Sequence, residues 1–290
     1  MEEQKNSMNI QWYPGHMTKT RRMMEEDLKL VDAVCEILDA RIPISSRNPD
    51  IDAICGKKPR MVILNRIDMA DADLVSRWSN YFKDRGMAVI RTDCKSRKGI
   101  NTFAPAVRQL LAEKLQRYAE KGQVGRPLKL MVVGIPNVGK STFINQIAGR
   151  KGAKAENRPG VTRGKQWVNV DGGLLLLDTP GILWPKFDDP EVGMRLAYTG
   201  AVKDDILDTE TLGCHLMELL AREYPGALTE RYKIEIPAEI DGWELLQAAG
   251  RKRGFLVSGG EVDTERMARV LLDEYRSCNR SKRSGLQTGK

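Results

Sequence analysis

The segment Gly134–Ser141 has the residue types and spacing of a loop that binds phosphate groups. It reads Gly-Ile-Pro-Asn-Val-Gly-Lys-Ser, matches the pattern Gly-x-x-x-x-Gly-Lys-Ser, and lies between a hydrophobic run and a helix-like segment. Its glycines let backbone N–H groups point at phosphate oxygens, and the following helix presents its positive dipole end. We expect Lys140 to reach the β- and γ-phosphates in catalysis and the Ser141 hydroxyl to bind Mg²⁺. The predicted nucleotide contacts are Asn137, Val138, Gly139, Lys140, Ser141 and Thr142.

A second set of candidate ligands follows this loop. Asp178-Thr179-Pro180-Gly181 comes directly after four leucines, so the Asp178 carboxylate would end a buried strand and could hold Mg²⁺ through water. The amide of Gly181 could sense the γ-phosphate. Between the two motifs, Thr162 is our candidate for a catalytic Mg²⁺ ligand that binds only with GTP. The alternative is an ordinary loop threonine.

An earlier segment, Asn65-Arg66-Ile67-Asp68, has the chemistry to select guanine. The Asp68 carboxylate can accept hydrogen bonds from guanine N1–H and from its 2-amino group, whereas adenine would leave that carboxylate unpaired. Asn65 can bond to the base and tie the loop. Arg66 stands where a lysine is usual, and its stem and planar head can still cover the base. Without the other motifs, a solvent loop would be the better interpretation of this segment.

Thr92-Asp93-Cys94-Lys95 follows the next apolar run. Cys94 and Lys95 are predicted to contact guanine O6 through the backbone. An ordinary turn at the end of a strand accounts for this segment nearly as well.

The elements that must position these residues alternate between short apolar strands and helices, which predicts a mostly parallel sheet covered on both faces. The strands are expected at 33–38, 61–64, 88–90, 130–133, 166–170 and 174–177, and helices at 17–30, 102–119 and 139–147. Beyond Pro185 the pattern is helical, at 189–223, 238–250 and 261–277, with breaks at prolines and glycines. The fold class is therefore α/β, a doubly wound P-loop domain followed by a smaller all-α domain. We expect an N-terminal segment over 1–24, the nucleotide-binding domain over 25–200 and a helical domain with a basic tail over 201–290.

Composition adds a preference for polyanions. The chain has 290 residues and a formal net charge of +8, which favours contact with nucleic acid, although a solvated basic face is the alternative. The sequence has neither an apolar run of membrane-spanning length nor a secretory signal. The cysteines are scattered and never spaced Cys-x-x-Cys, which predicts reduced thiols in a cytoplasmic protein rather than a metal cluster.

The order of the motifs is unusual, because the guanine segment precedes the phosphate loop. Circular permutation is physically tolerable since domain termini lie on the surface and are often close together. In this order and in its motifs the chain resembles the circularly permuted GTPases, most closely the ribosome biogenesis GTPase A family, the bacterial YlqF family. The resemblance rests on Gln11–Met17, Asp39–Pro43, Gly134–Ser141 and Asp178–Pro185.

That resemblance implies a GTPase that acts in late maturation of the large ribosomal subunit. Its expected ligands are GTP, GDP and Mg²⁺, and its expected partners are the large-subunit precursor and the ribosomal RNA, which the helical domain would contact. No membrane is expected, and we expect a monomer.

Six further residues gain hypotheses once this resemblance is noted. Ile182 stands where Ras-type enzymes carry a water-orienting glutamine, so His16 is the candidate for orienting the attacking water, with a packing role as the alternative. Asn137 matches the asparagine that binds K⁺ in potassium-dependent GTPases, or it merely shapes the turn. For Asp39, Arg41 and Pro43 we prefer a structural role at a strand end.

Two rival functions remain at this point. One is a nucleotide-gated RNA-binding scaffold in which hydrolysis is incidental. The other is a GTPase that acts on protein partners without RNA.

Overall fold

The computed structural model describes residues 17–152, 166–170, 172–179, 181, 189–202 and 208–277. These residues form two compact units, which we call the sheet unit (the described residues from 17 to 181) and the helical unit (those from 189 to 277). The division falls earlier than the boundary expected near residue 200.

A six-stranded sheet lies at the centre of the sheet unit. Its spatial order is β3-β2-β1-β4-β6-β5, and every neighbouring pair is parallel except β5 and β6. The mostly parallel sheet predicted from the apolar runs is therefore confirmed. The strands are β1 (Ala33–Asp39), β2 (Arg60–Asn65), β3 (Ala88–Thr92), β4 (Leu128–Gly134), β5 (Gln166–Val170) and β6 (Leu174–Asp178).

Both faces of this sheet are covered, which explains why its central strands read as continuous apolar runs. Val34 and Leu38 belong to apolar clusters on one face. Cys35 and Ile37 point to the other face because side chains alternate along a strand, and they are fully buried as well.

Helices connect the strands and supply this cover. Asp71 starts α3 by accepting hydrogen bonds from the amides of Asp73 and Leu74, a helix that the sequence pattern did not reveal. The single helix predicted over 102–119 is wrong: Leu111, with φ −108° and ψ 23°, leaves helical geometry and separates two helices. The helices are α1 (Met17–Leu28), α2 (Ile51–Cys55), α3 (Ala72–Lys83), α4 (Phe103–Leu110), α5 (Ala112–Glu120) and α6 (Lys140–Gly152).

The helical unit contains α7 (Pro190–Tyr198), α8 (Thr209–Glu223), α9 (Pro225–Tyr232), α10 (Gly242–Lys252) and α11 (Thr264–Ser277). α7 belongs here because it packs on α8 and α11, with the rings of Tyr198 and Tyr275 edge to face at 6.2 Å. The break expected at Pro225 is confirmed, because α8 ends at Glu223; Pro225 then occupies the first turn of α9, where the missing N–H costs nothing. Across the described residues, no helix is long and apolar enough to cross a membrane.

The carboxyl ends of the parallel strands meet at one edge of the sheet. The pairing register places Asp39 beside Asn65 and Asn65 beside Thr92. On the other side of β1, β4 ends at Gly134. The chain order reverses between β1 and β4, and open α/β sheets bind ligands at such a switch point.

Candidate nucleotide-binding site

The phosphate loop runs from the end of β4 at Gly134 to the start of α6 at Lys140. Two of its residues have left-handed backbone geometry, Asn137 at φ 58° and Gly139 at φ 98°. Such residues reverse the direction of successive N–H groups, and asparagine and glycine tolerate this geometry best. The loop that the sequence predicted thus has the curled backbone that phosphate binding requires.

Asn65 joins this loop to the guanine segment. Its side-chain nitrogen donates to the carbonyl oxygen of Val138 at 2.8 Å. Its side-chain oxygen accepts from the Thr92 hydroxyl and from the Cys94 amide, each at 3.3 Å. Since Asn65 is almost fully buried, these bonds hold three loops in a fixed arrangement.

Gly139 is in close contact with the Asn65 side chain. A Cβ atom on Gly139 would lie 2.4 Å from Nδ2 of Asn65. Only glycine allows this approach, because the contact would be far inside van der Waals distance and the backbone φ is positive. The glycine at this position therefore serves the junction between the loops as well as the loop itself.

Arg66 makes a second connection between the same loops. Its guanidinium donates to the carbonyl oxygen of Asn137 at 2.5 Å, and its Nε lies 3.8 Å from Asp39 Oδ2. Arg66 itself has φ 64° and ends the regular geometry of β2. The arginine that replaces the usual lysine thus reaches both the phosphate loop and the end of β1.

Asp39 and Arg41 form a buried pair beside Arg66. Arg41 donates from Nε at 2.9 Å and from its terminal nitrogen at 2.7 Å to the two oxygens of Asp39. Burial alone would raise the pKa of Asp39, but the charges and hydrogen bonds of Arg41 and the charge of Arg66 outweigh burial and hold the pKa below its usual value. Asp39 is therefore an anion that anchors two arginines at the strand end.

The loop after β3 is braced by contacts that the sequence did not disclose. The Asp93 carboxylate accepts hydrogen bonds from the Lys95 amide, at 2.9 Å, and from the Ser96 hydroxyl. Burial raises the pKa of the Cys94 thiol to about 11, so that side chain stays neutral and only its backbone is suited to a polar contact. Asp68 lies in a short 3₁₀ turn, Ile67–Met69, half-buried, and its charge acts on both Arg66 and Cys94.

On the far side of the phosphate loop, Lys140 contacts Asp178. The Lys140 ammonium and an Asp178 carboxylate oxygen form a buried ion pair. The Thr179 hydroxyl donates to the Val132 carbonyl at 2.8 Å, which ties the segment after β6 to β4. A Cβ atom on Gly181 would lie 3.0 Å from the backbone of Pro136, so this segment passes directly against the phosphate loop.

The predicted phosphate loop, the loops after β2 and β3, and the described residues of the Asp178–Gly181 motif therefore meet at one edge of the sheet, and comparison with known proteins identifies the combination. Residues 129–224 match a family model described as a 50S ribosome-binding GTPase. The chain is 48% identical over 272 residues to ribosome biogenesis GTPase A of Priestia megaterium, a match that covers 93% of this chain and 94% of that protein. The chain belongs to the ribosome biogenesis GTPase A family. It is a GTPase, an enzyme that binds and hydrolyses GTP.

A more distant relative and a solved structure agree with this assignment. The chain is 34% identical over 253 residues to mitochondrial ribosome-associated GTPase 1 of Xenopus tropicalis, covering 84% of this chain and 80% of that protein. The GDP-bound structure of YlqF from Thermotoga maritima superposes with a TM-score of 0.65 at 25% identity, covering 92% of this chain and 99% of that one. The P-loop domain and the helical C-terminal region are therefore family features.

A GTPase of this family needs a place for Mg²⁺, and the donor set fits that ion. Mg²⁺ prefers hard oxygen ligands and is usually held by one or two carboxylates together with substrate phosphates and water. The Ser141 hydroxyl lies in the first turn of α6, and the Asp178 carboxylate, which contacts the neighbouring Lys140, ends β6. Among the described residues no group of three or more His, Cys, Asp and Glu is placed to hold a metal ion.

The structure describes some of the predicted site residues of this GTPase and not others. His16, Thr162 and Ile182 lie outside the described residues, so their roles stay predictions. Asn137, Lys95 and Thr142 are exposed, in the phosphate loop, in the loop after β3 and in the first turn of α6.

Sequence reasoning singled out the segments of Thr92 and Asp39 but did not foresee their side-chain contacts in this GTPase site. Thr92 bonds to Asn65, and Asp39 approaches Arg66 within ion-pair distance. Both are polar residues at the carboxyl ends of parallel strands that flank β2. That position in the pattern was the available signal, because such ends converge in an open α/β sheet.

Proposed function

We propose that this GTPase binds an assembling large ribosomal subunit and leaves it after GTP hydrolysis. The observation that carries the proposal is the match of residues 129–224 to the 50S ribosome-binding GTPase model. The names of its relatives, which refer to ribosome biogenesis and ribosome association, support it. The net charge of +8 favours binding to an RNA-rich particle.

We assign guanine selection to the loops after β2 and β3. Asp68 accepts from the guanine N1–H and 2-amino groups, and the backbone of Cys94 and Lys95 contacts O6. Asn65 and Arg66 support this pocket, since both are bonded to the phosphate loop. The guanine motif precedes the phosphate loop in the chain, yet the two lie together in space, as expected for a circularly permuted GTPase.

The phosphates are bound by the loop amides, Lys140 and the N-terminal end of α6. Lys140 exchanges its ion pair with Asp178 for the β- and γ-phosphates when nucleotide binds, which frees Asp178 to hold the metal through water. When Mg²⁺ is bound it neutralises developing charge on the phosphates. The Gly181 amide, next to Pro136, donates a hydrogen bond to the γ-phosphate. Loss of that bond after hydrolysis changes the position of the segment that leads to the helical unit.

Three assignments rest on sequence motifs. Thr162 completes the Mg²⁺ site when GTP is present, and His16 orients the attacking water. Asn137 would hold K⁺, and an ion there would supply positive charge beside the phosphates, as an arginine finger does in other GTPases. The test for Asn137 is turnover in K⁺ and in Na⁺ at equal ionic strength; equal rates contradict the K⁺ assignment.

The helical domain, expected from the sequence over 201–290 and beginning with α7 in the structure, contacts ribosomal RNA. Its described part exposes Arg251 and Lys252 at the end of α10 and Arg266 in α11, which are suitable donors to phosphate oxygens. The salt dependence of particle binding would report these contacts.

The decisive experiment measures GTP hydrolysis with and without purified large ribosomal subunits, together with pelleting of the protein on those particles. Our proposal predicts binding in the GTP state, faster hydrolysis and release afterwards. Binding without stimulation would indicate the RNA-binding scaffold instead. No binding, combined with intact hydrolysis, would indicate a GTPase for protein partners.

A further inference from the structure

A basic depression lies at the edge of the sheet opposite to the nucleotide site. Its lining includes Asp32, which precedes β1, and Pro127, which precedes β4. These parallel strands begin at the depression and end at the nucleotide site, so the length of β1 separates the two places by about 20 Å. The depression has a volume of about 360 Å³. Its lining residues are Lys29, Leu30, Val31, Asp32, Lys58, Lys114, Tyr118, Arg126, Pro127 and Lys129.

Basic side chains dominate this depression, and its carboxylate is already engaged. One oxygen of Asp32 pairs with the Lys114 ammonium, and the other accepts from the Lys129 amide at 2.8 Å. The Lys58 ammonium donates to the Val31 carbonyl at 2.5 Å. Asp32 therefore neutralises part of the charge but leaves a net positive concavity.

The remaining cations are placed to receive a ligand. Lys29 is exposed just beyond α1 and forms no ion pair among the described residues. Arg126 is exposed, and its guanidinium lies 4.9 Å from the centre of the Tyr118 ring, so stacking helps to orient its head group. The Lys129 ammonium lies 5.6 Å from the centre of the Trp167 ring, which is 41% exposed.

A concavity lined by like charges focuses its potential and attracts anions more strongly than the same charges would on a convex surface. Small apolar ligands are excluded because such ligands require a mainly apolar lining. Phosphate groups match the donors present, since arginine and lysine are the side chains that bind phosphate oxygens. Separate cations on different segments suit consecutive phosphates along a chain better than one compact ion.

We propose that this depression is a second anion site, which binds the phosphodiester backbone of RNA. The proposal rests on the proposed function in taking RNA as the partner, and it adds a contact from the sheet unit to those expected from the helical domain. RNA bound there does not overlap the nucleotide site, so both ligands bind together.

The test uses the full-length protein and a fluorescein-labelled single-stranded 20-nucleotide RNA, with affinity measured at several salt concentrations. The variant Lys29→Gln/Arg126→Gln removes two exposed charges outside the Asp32 ion pair. Each lost phosphate contact on a single strand lowers the slope of log K against log salt by about 0.7, so the slope should fall by about 1.4 and affinity by about 10- to 30-fold at 0.1 M salt.

A matched control removes the same charge elsewhere on the sheet unit. Arg77→Gln/Lys83→Gln changes two exposed residues of α3 and should leave both slope and affinity close to the original. Basal GTP hydrolysis and the unfolding midpoint should be unchanged in both variants, because none of these residues belongs to the nucleotide site.

The outcomes distinguish RNA from a small phosphate ion as the ligand, and failure of this site from failure of the proposed function. Wild-type slope and affinity in Lys29→Gln/Arg126→Gln overturn the site, as does an equal loss in the control. Inorganic triphosphate that binds stoichiometrically to the depression without displacing RNA would assign the site to a small anion and overturn the RNA proposal. If the wild-type protein binds neither RNA nor ribosomal particles, the proposed function is contradicted, and the RNA site with it.

Discussion

The side-chain amide of Asn65 donates to the carbonyl oxygen of Val138 at 2.8 Å, across a separation of 73 residues. Through this bond the loop that we propose selects the base is attached to the loop that we propose binds the phosphates. The same side chain also accepts from the Cys94 amide at 3.3 Å. We therefore expect base selection and phosphate binding to depend on each other.

Gly139→Ala tests that dependence. The new Cβ would lie 2.4 Å from Nδ2 of Asn65, so the junction must open. We expect GTP and GDP affinity to fall at least about 100-fold and stability by about 1–3 kcal/mol. Gly86→Ala is the control, because Gly86 has a similar positive φ of 75° but nothing within 4 Å of the added carbon. Labelled-nucleotide titration and urea unfolding measure the two effects. Equal nucleotide affinity and equal stability of the two variants would contradict a steric role for Gly139 beside Asn65.

Asp68→Asn should change the preferred base from guanine to xanthine. Its amide cannot accept both guanine donors, and we expect a loss of about 2–4 kcal/mol in GDP binding. Xanthine carries a carbonyl where guanine carries the 2-amino group, so the new amide can donate to it. Competition between guanosine and xanthosine diphosphates measures the change. Tight binding of the xanthosine nucleotide shows that the site is folded, while unchanged guanosine affinity would contradict the role of Asp68.

Ser141→Ala and Lys140→Ala should each lower GTP hydrolysis by about 10²–10³-fold, since each removes a group that acts on the phosphates or their metal. Their effects on stability should differ. Lys140→Ala removes the ammonium from buried Asp178 and should cost about 1–3 kcal/mol without nucleotide, whereas Ser141→Ala should be close to neutral. Lys83→Ala, on the exposed side of α3, is the control. Full turnover in either variant contradicts the phosphate-loop assignment.

Arg41→Met should change how stability depends on pH. In the native protein the pKa of Asp39 is depressed, so its contribution is present above about pH 4 and is lost as pH falls through the folded pKa. Without Arg41 the buried carboxylate loses its main cation, and we expect a cost of about 3–5 kcal/mol at pH 7. Burial then raises the pKa of Asp39, so the deficit should shrink as pH falls from 7 towards 4. Urea unfolding of both proteins across this range measures it, and a deficit independent of pH would mean that Arg41 acts through packing alone.

His16→Ala should bind GTP and ribosomal particles normally but lose the particle-stimulated hydrolysis. A single well-placed group that handles the attacking water contributes about 10²–10⁴-fold. Single-turnover hydrolysis on large subunits, paired with a pelleting assay, measures the rate and the time spent on the particle. A full stimulated rate in the variant would make His16 structural.

The sequence predicted the sheet and the motif positions because continuous apolar runs that end in polar residues are typical of buried parallel strands. It missed α3, since the start of that helix depends on the cap at Asp71 and its apolar face is interrupted by polar residues. It also could not reveal that Asp39 approaches Arg66 or that Asp93 braces its own loop. Those contacts depend on strand register and loop geometry, which a single sequence leaves open.

The strand order also has a consequence for synthesis. β1, β2 and β3 are neighbours both in the chain and in the sheet, so the nascent polypeptide can pair them as soon as Thr92 leaves the tunnel. At 5–20 residues per second, roughly 2–8 s pass before Gly134 follows and β4 can cover the other side of β1. During that interval β1 is an exposed, apolar edge strand that invites wrong pairing. GTP cannot stabilise this intermediate, because the phosphate loop has yet to emerge from the tunnel.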